Sequence, residues 1–185
     1  MPRGVAIPEI RQQLFAAAER VIAADGPSRL TGRAVTAEAG VATGLLHTHF
    51  RSFEGFLTAY AVDRSFQLAG ELAGLPGQAG SGTVGGNLRA AAQALSGGTL
   101  RALTRLMVFH PGLTAEVEAV LGAGSAGVSA LERPFATYLA AEQERGRIPA
   151  GADTGTLALA VVGTVHHLVL TEQSLTRMEP LFSAV

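Results

Sequence analysis

The chain has no cysteine, so disulfides, thiolate metal sites and cysteine nucleophiles are all excluded, and nothing points to an oxidising compartment. It also has no lysine. All 14 basic residues are arginine, and with 23 glycines and abundant alanine this reads as the coding bias of a high-G+C bacterial genome. Charge is sparse, at 16% of residues against 48% hydrophobic. That balance is too apolar for disorder and slightly rich for a monomer covering its own surface, so self-association is expected. The net charge of −1 provides no overall attraction to nucleic acid, and any such contact must come from local geometry. Even the first 64 residues carry only seven arginines against six carboxylates. Long apolar runs are missing too. The longest, Leu157 to Leu170, is short for a membrane span and includes two histidines, so a cytoplasmic protein with no membrane partner is expected.

What is present is helical periodicity, in a length of 185 residues that suits one domain or a small domain fused to a larger one. Ile10, Leu14, Ala17, Ala18, Val21 and Ile22 recur at helical spacing, with Pro8 suited to the first turn and Gly26-Pro27 to the stop. A short helix follows, capped by Thr31 and left through a positive φ at Gly40. Ala42 to His49 is long enough for two further turns. Ser52 then caps a fourth helix that runs to about Ala73, with Glu54 near its positive end.

Seven glycines and a proline between Gly70 and Gly86 predict a flexible connection. Beyond it, helices are expected near Thr83–Leu95, Thr99–Phe109, Thr114–Leu121, Ser125–Arg145 and Asp153–Thr171, with a short one around Leu175. No strand-like alternation and no repeat is visible, so the fold class is all-α.

A short helix, a glycine turn and a second short helix form the arrangement that presents the second helix to a DNA major groove while the first crosses the backbone. Here these are residues 31–39 and 42–49. Residues 10–60 resemble the DNA-binding segment of the TetR family of transcriptional regulators. The likeness is carried by the helix ending at Gly26, then Thr31, Val35, Ala39-Gly40-Val41, Gly44, Leu46, His49-Phe50, Ser52, Glu54 and Phe56-Leu57. A looser likeness continues through Tyr138 to Glu142, Arg145 to Ile148 and Asp153. It implies a helix-turn-helix DNA-binding domain at residues 1–52 and a helical ligand-binding and dimerisation domain at 53–185.

Carried over from the family, DNA contacts fall on Thr31, Gly32 and Arg33, then on Thr43, Gly44, Leu45, His47, Thr48 and His49, with Phe53 beyond them. Arg33 can donate to phosphate or to guanine O6 and N7, Thr31 and Thr43 to phosphate, and Leu45 can pack on a thymine methyl. The family usually has tyrosine at His47 and lysine at Phe53, so affinity, salt dependence or operator choice is expected to depart from its norm. Protonated His47 or His49 beside phosphate would make binding stronger at pH 6 than at pH 8. A metal site there is disfavoured, because an i,i+2 pair on a helix points in different directions.

Residues 153–171 are apolar nearly all round, so this helix needs a second partner layer. Small residues beside it suggest pairing with its own copy across a symmetric homodimer, with Ala160, Val161, Gly163, Thr164, His167 and Leu168 at the interface. Leu103, Met107, His110, Phe135, Tyr138 and His166 combine adaptable apolar surface with hydrogen-bonding tips and are the candidate lining of an inducer pocket. Pro134 should kink or begin its helix.

The expected function is a repressor that binds palindromic double-stranded operator DNA as a dimer and is released by a small apolar or aromatic inducer. No cofactor is required. No glycine-framed nucleophile, metal-ligand spacing or paired carboxylates suggest an enzyme. The alternative is a helical ligand-binding or interaction module whose DNA head has degenerated.

Overall fold

The computed structural model describes residues 7–95 and 97–183, with side chains from residue 9 onward. Among these residues there are ten α-helices and no strand. The first, α1 (Ile7–Asp25), takes in Pro8 in its first turn and buries Leu14, Phe15, Ala17, Ala18 and Ile22. It ends at Gly26, whose φ of 82° no β-carbon-bearing residue adopts cheaply. Thr31 then caps α2 (Gly32–Glu38), its hydroxyl accepting from the Ala34 amide at 3.1 Å.

Gly40, at φ 67°, closes α2. The Val41 amide reaches back to the Thr36 carbonyl at 3.0 Å and the Gly40 amide to Ala37 at 3.1 Å, the paired bonds by which a left-handed residue satisfies the last carbonyls of a helix. The chain is thereby turned into α3 (Gly44–Phe50). Ser52 caps α4 (Phe53–Leu72), accepting from the Gly55 amide at 2.9 Å. This long helix buries Phe56, Leu57, Tyr60, Ala61, Leu68 and Leu72 and is the element that both halves of the molecule share.

The remaining helices are α5 (Val84–Ala94), α6 (Gly98–Phe109), α7 (Gly112–Leu121), α8 (Ser129–Glu144), α9 (Thr154–Leu170) and α10 (Glu179–Ser183). Packing joins α4 to α6, α7 and α8, α8 to α9, and α10 to α5. Asp153 caps α9, accepting from the Gly155 and Thr156 amides at 3.0 and 3.1 Å.

Two expectations need correction. The glycine-rich stretch from Gly70 to Gly86 is tied down rather than loose. α4 extends to Leu72, Pro76–Gln78 form a 3-10 turn, and Leu75 is buried. The fully buried carboxylate of Glu142 accepts from the Gly80 amide at 3.2 Å and lies 3.3 Å from Arg147, whose guanidinium donates to the Gly82 carbonyl at 2.6 Å. Composition made the loop inexpensive to bend, but distant side chains hold it. Secondly, α8 starts at Ser129 rather than Ser125 and runs on through Pro134. Gly127, at φ 57°, keeps the preceding residues out of the helix.

Candidate nucleic-acid interface

α3 is amphipathic over only two turns. Leu46 and Phe50 point inward, and Phe50 sits 5.6 Å from the Phe15 ring of α1 and 5.1 Å, edge on, from Phe56 of α4. From α2, Val35, Thr36 and Ala39 complete the same core. Each such aromatic side chain contributes a few kcal/mol by burial. One edge of α3 is thus clamped by three helices, and the opposite edge is left to solvent.

That outer edge holds the residues expected to meet DNA. Thr43, Gly44, His47 and Thr48 are exposed, and Leu45 and His49 are half-buried. Beside them on α2, Thr31 and Arg33 are exposed and Gly32 is half-buried. All nine are therefore at least partly open to solvent on the α2–turn–α3 unit. Arg33 has no carboxylate partner among the described residues, whereas the nearby Glu38 is engaged by Arg20 at 2.5 Å. The Thr43 hydroxyl does not cap α3, and the Thr36 hydroxyl approaches it at 3.5 Å. His47 Nδ1 lies 3.3 Å from the Arg51 carbonyl, which can only accept, so Nδ1 carries the proton.

Phe53 departs from the expected contact role. It is half-buried, stacked on Phe56 at 6.0 Å and 18° between ring planes, and packed towards Gly32. It joins α2 to α4 as apolar filler.

Residues 14–60 match the family model for bacterial regulatory proteins of the tetR family. Over this segment, about a quarter of the chain, the sequence is similar to the DNA-binding domain of that family. The match covers α1 through the first turns of α4, the segment just described. Solved structures of low identity share the fold over most of the chain. FadR from Bacillus subtilis, in complex with stearoyl-CoA, is 20% identical with a TM-score of 0.63, covering 86% of this chain and 85% of that one. GusR from Salmonella enterica is 15% identical with a TM-score of 0.68, covering 95% and 91%. A TetR-like transcriptional regulator from Rhodococcus sp. is 19% identical with a TM-score of 0.61, covering 94% and 88%. No curated protein matches the chain significantly. No described helix is long and apolar enough to cross a membrane.

Three residues of this segment and its edge escaped the sequence reading. Gly55 lets α4 start against the end of α3, because a β-carbon there would meet the Phe50 carbonyl oxygen at 2.5 Å. A glycine inside a helix, at a cost of about 1 kcal/mol relative to alanine, was the available signal. Arg51 is exposed at the α3–α4 turn with φ 64° and ψ −40°, the centre of a γ-turn in which the Ser52 amide donates to the Phe50 carbonyl at 2.7 Å. Arg11 of α1 lies 4.5 Å above the Phe50 ring, beside the end of the presented helix.

The expected inducer residues do not share one cavity. Leu103, Phe135 and Tyr138 are fully buried core, and Met107, His110 and His166 are half-buried. The Tyr138 hydroxyl accepts from Asn87 at 3.0 Å, and burial pushes its pKa up to about 12. His110 lines a depression of about 380 Å³ with Phe53 and Glu54 at the start of α4. A cavity of about 750 Å³ instead opens between α4, the end of α7 and α8, lined by Ser65, Phe66, Leu72, Leu121, Arg133 and Pro134 among others. Pro134 thus belongs to a cavity wall, and Phe135 behind it does not.

On α9, Ala160, Gly163 and His167 are exposed, Leu159 is 55% exposed and Thr164 is half-buried. Val161 and Leu168 are buried in the chain's own core and lie off that face, a correction that follows from their 3.6-residue phase relative to Gly163.

Proposed function

We propose that this chain is a TetR-type repressor that binds palindromic operator DNA as a homodimer and is released by a small apolar ligand. Residues 1–52 act as the reading head and 53–185 as the regulatory and dimerisation domain. The observation that carries the reading is the polar, solvent-facing edge of α3 opposite the Leu46 and Phe50 anchors, continuous with Thr31 and Arg33 of α2. Such a rigidly backed helix can enter a major groove.

Thr31, Arg33, Thr43 and Thr48 donate to phosphates or base edges, Gly44 allows close approach, and Leu45 offers a methyl contact. Arg51 supplies an exposed cation two residues from the apolar Phe53. The exposed Leu159, Ala160, Gly163 and His167 stripe of α9 accommodates a second copy at close range. The cavity against α4 provides an apolar effector site on the helix that continues directly from the head. A ligand there acts by favouring one arrangement of the two heads over another.

Binding to the DNA immediately upstream of the coding region, measured across a salt series and against unrelated DNA, tests this reading. Selective, salt-weakened binding that Arg33→Ala reduces is expected. Absence of binding at low salt overturns it. That outcome would favour a ligand-binding module with a degenerate head, the reading that the stacking of half-buried Phe53 on Phe56 supports.

A further inference from the structure

The 750 Å³ cavity is not isolated. A second depression of about 590 Å³ shares Phe66 and Leu121 with it, so the two form one groove between α4 and α7. The α4 wall is a single stripe at helical spacing: Gly55, Ala59, Val62, Phe66, Ala69 and Ala73. From Gly55 to Ala73 the helical rise makes this about 27 Å long. Phe66 stands in the middle, 71% exposed although it is among the largest apolar side chains of the chain. A long, narrow apolar trough suits an extended chain better than a compact ring system.

The two ends differ in charge. At the α8 end the one charged lining residue is Arg133, which has no carboxylate partner among the described residues. Ser65 lines the same cavity, is 2% exposed, and its hydroxyl has no hydrogen-bond partner. An unpaired guanidinium at the end of a mainly apolar cavity is complementary to an anionic head group. At the other end Asp63 lines the groove with Arg11, which itself lies over Phe50, so an anion there would meet a carboxylate.

We propose that the groove binds a single-chain amphipathic anion, such as an aliphatic carboxylate, with its head on Arg133 and its chain laid along α4 across Phe66. This rests on the effector role assigned above and names its chemistry. It also explains how occupancy would reach the head. Ser65 and Phe66 follow Arg64, which holds α1 through Glu19, so the ligand contacts α4 next to the residue that fastens α4 to the head.

The test is calorimetric titration of the full chain without DNA, using decanoate and decan-1-ol, so that its outcome is separate from operator binding. The chain has no tryptophan, which makes heat a better readout than intrinsic fluorescence. Decanoate is expected to bind saturably and at least tenfold more tightly than decan-1-ol. Arg133→Gln, at an exposed position that leaves the core intact, should bring decanoate to the level of the alcohol. Ala69→Phe should fill the trough and block both. No saturable binding of decanoate overturns the proposal. Equal binding of acid and alcohol, or indifference to Arg133→Gln, overturns it equally.

Discussion

Arg64 of α4 donates through Nε to Glu19 of α1 across 2.7 Å, with the guanidinium side chain only 8% exposed. The same guanidinium donates to Gln12 at 2.9 Å and to Asp63 at 2.8 Å. One buried cation therefore fixes α1 to α4, the helix that lines the long groove. Because a charge without a partner is costly in that position, the pairing holds α1 and α4 as one body.

Arg64→Met should destabilise the protein by about 3 kcal/mol, since it leaves Glu19 and Asp63 without their shared partner. Thermal melting is expected to fall by roughly 6 to 12 °C for a chain of this size. A melting temperature within about 2 °C of the parent would show that the pair is dispensable.

Arg51 stores backbone strain at φ 64° while offering an exposed cation beside α3. Arg51→Gly should relieve the strain and raise stability by about 1 kcal/mol. Operator affinity should move the opposite way, with the salt slope reduced by about one counterion. Chemical denaturation and a salt titration of DNA binding check the two signs independently.

Gly163 has open space where a β-carbon would stand, so Gly163→Glu creates no clash within one chain. If α9 pairs with its copy, the variant should sediment as a folded monomer and lose operator affinity. An unchanged dimer would move the interface elsewhere.

Burial, with a smaller effect from His167, holds the His166 pKa below the ordinary value of 6.5. Its Nε2 is buried without a hydrogen-bond partner. The native state thus binds this proton less readily than the unfolded chain does. The associated stability is full above about pH 6.5 and is lost as pH falls towards the native pKa. Denaturation midpoints should decline between pH 7 and pH 5.5, and less so in His166→Leu.

The helices, their ends and the exposed edge of α3 were legible in the sequence because each is governed by neighbours within one or two turns. Thr31, Gly40, Ser52 and Asp153 act on amides and carbonyls at most five residues away, and the apolar phase of α3 alone separates Leu46 and Phe50 from His47 and Thr48. The groove along α4 was not legible. Tyr138 looks like pocket lining from its chemistry, yet Asn87 holds it in the core from 51 residues away. The glycine-rich linker looked loose because Glu142, which anchors Gly80 from 62 residues away, gives no local sign of doing so. Val161 and Leu168 share a helix with Gly163, and only the packing of α8 and its neighbours decides which face is covered. Local hydrogen bonding and periodicity thus follow from sequence alone. Cavities, buried charges and free faces are differences between several packed helices, and they exist only once the chain has folded.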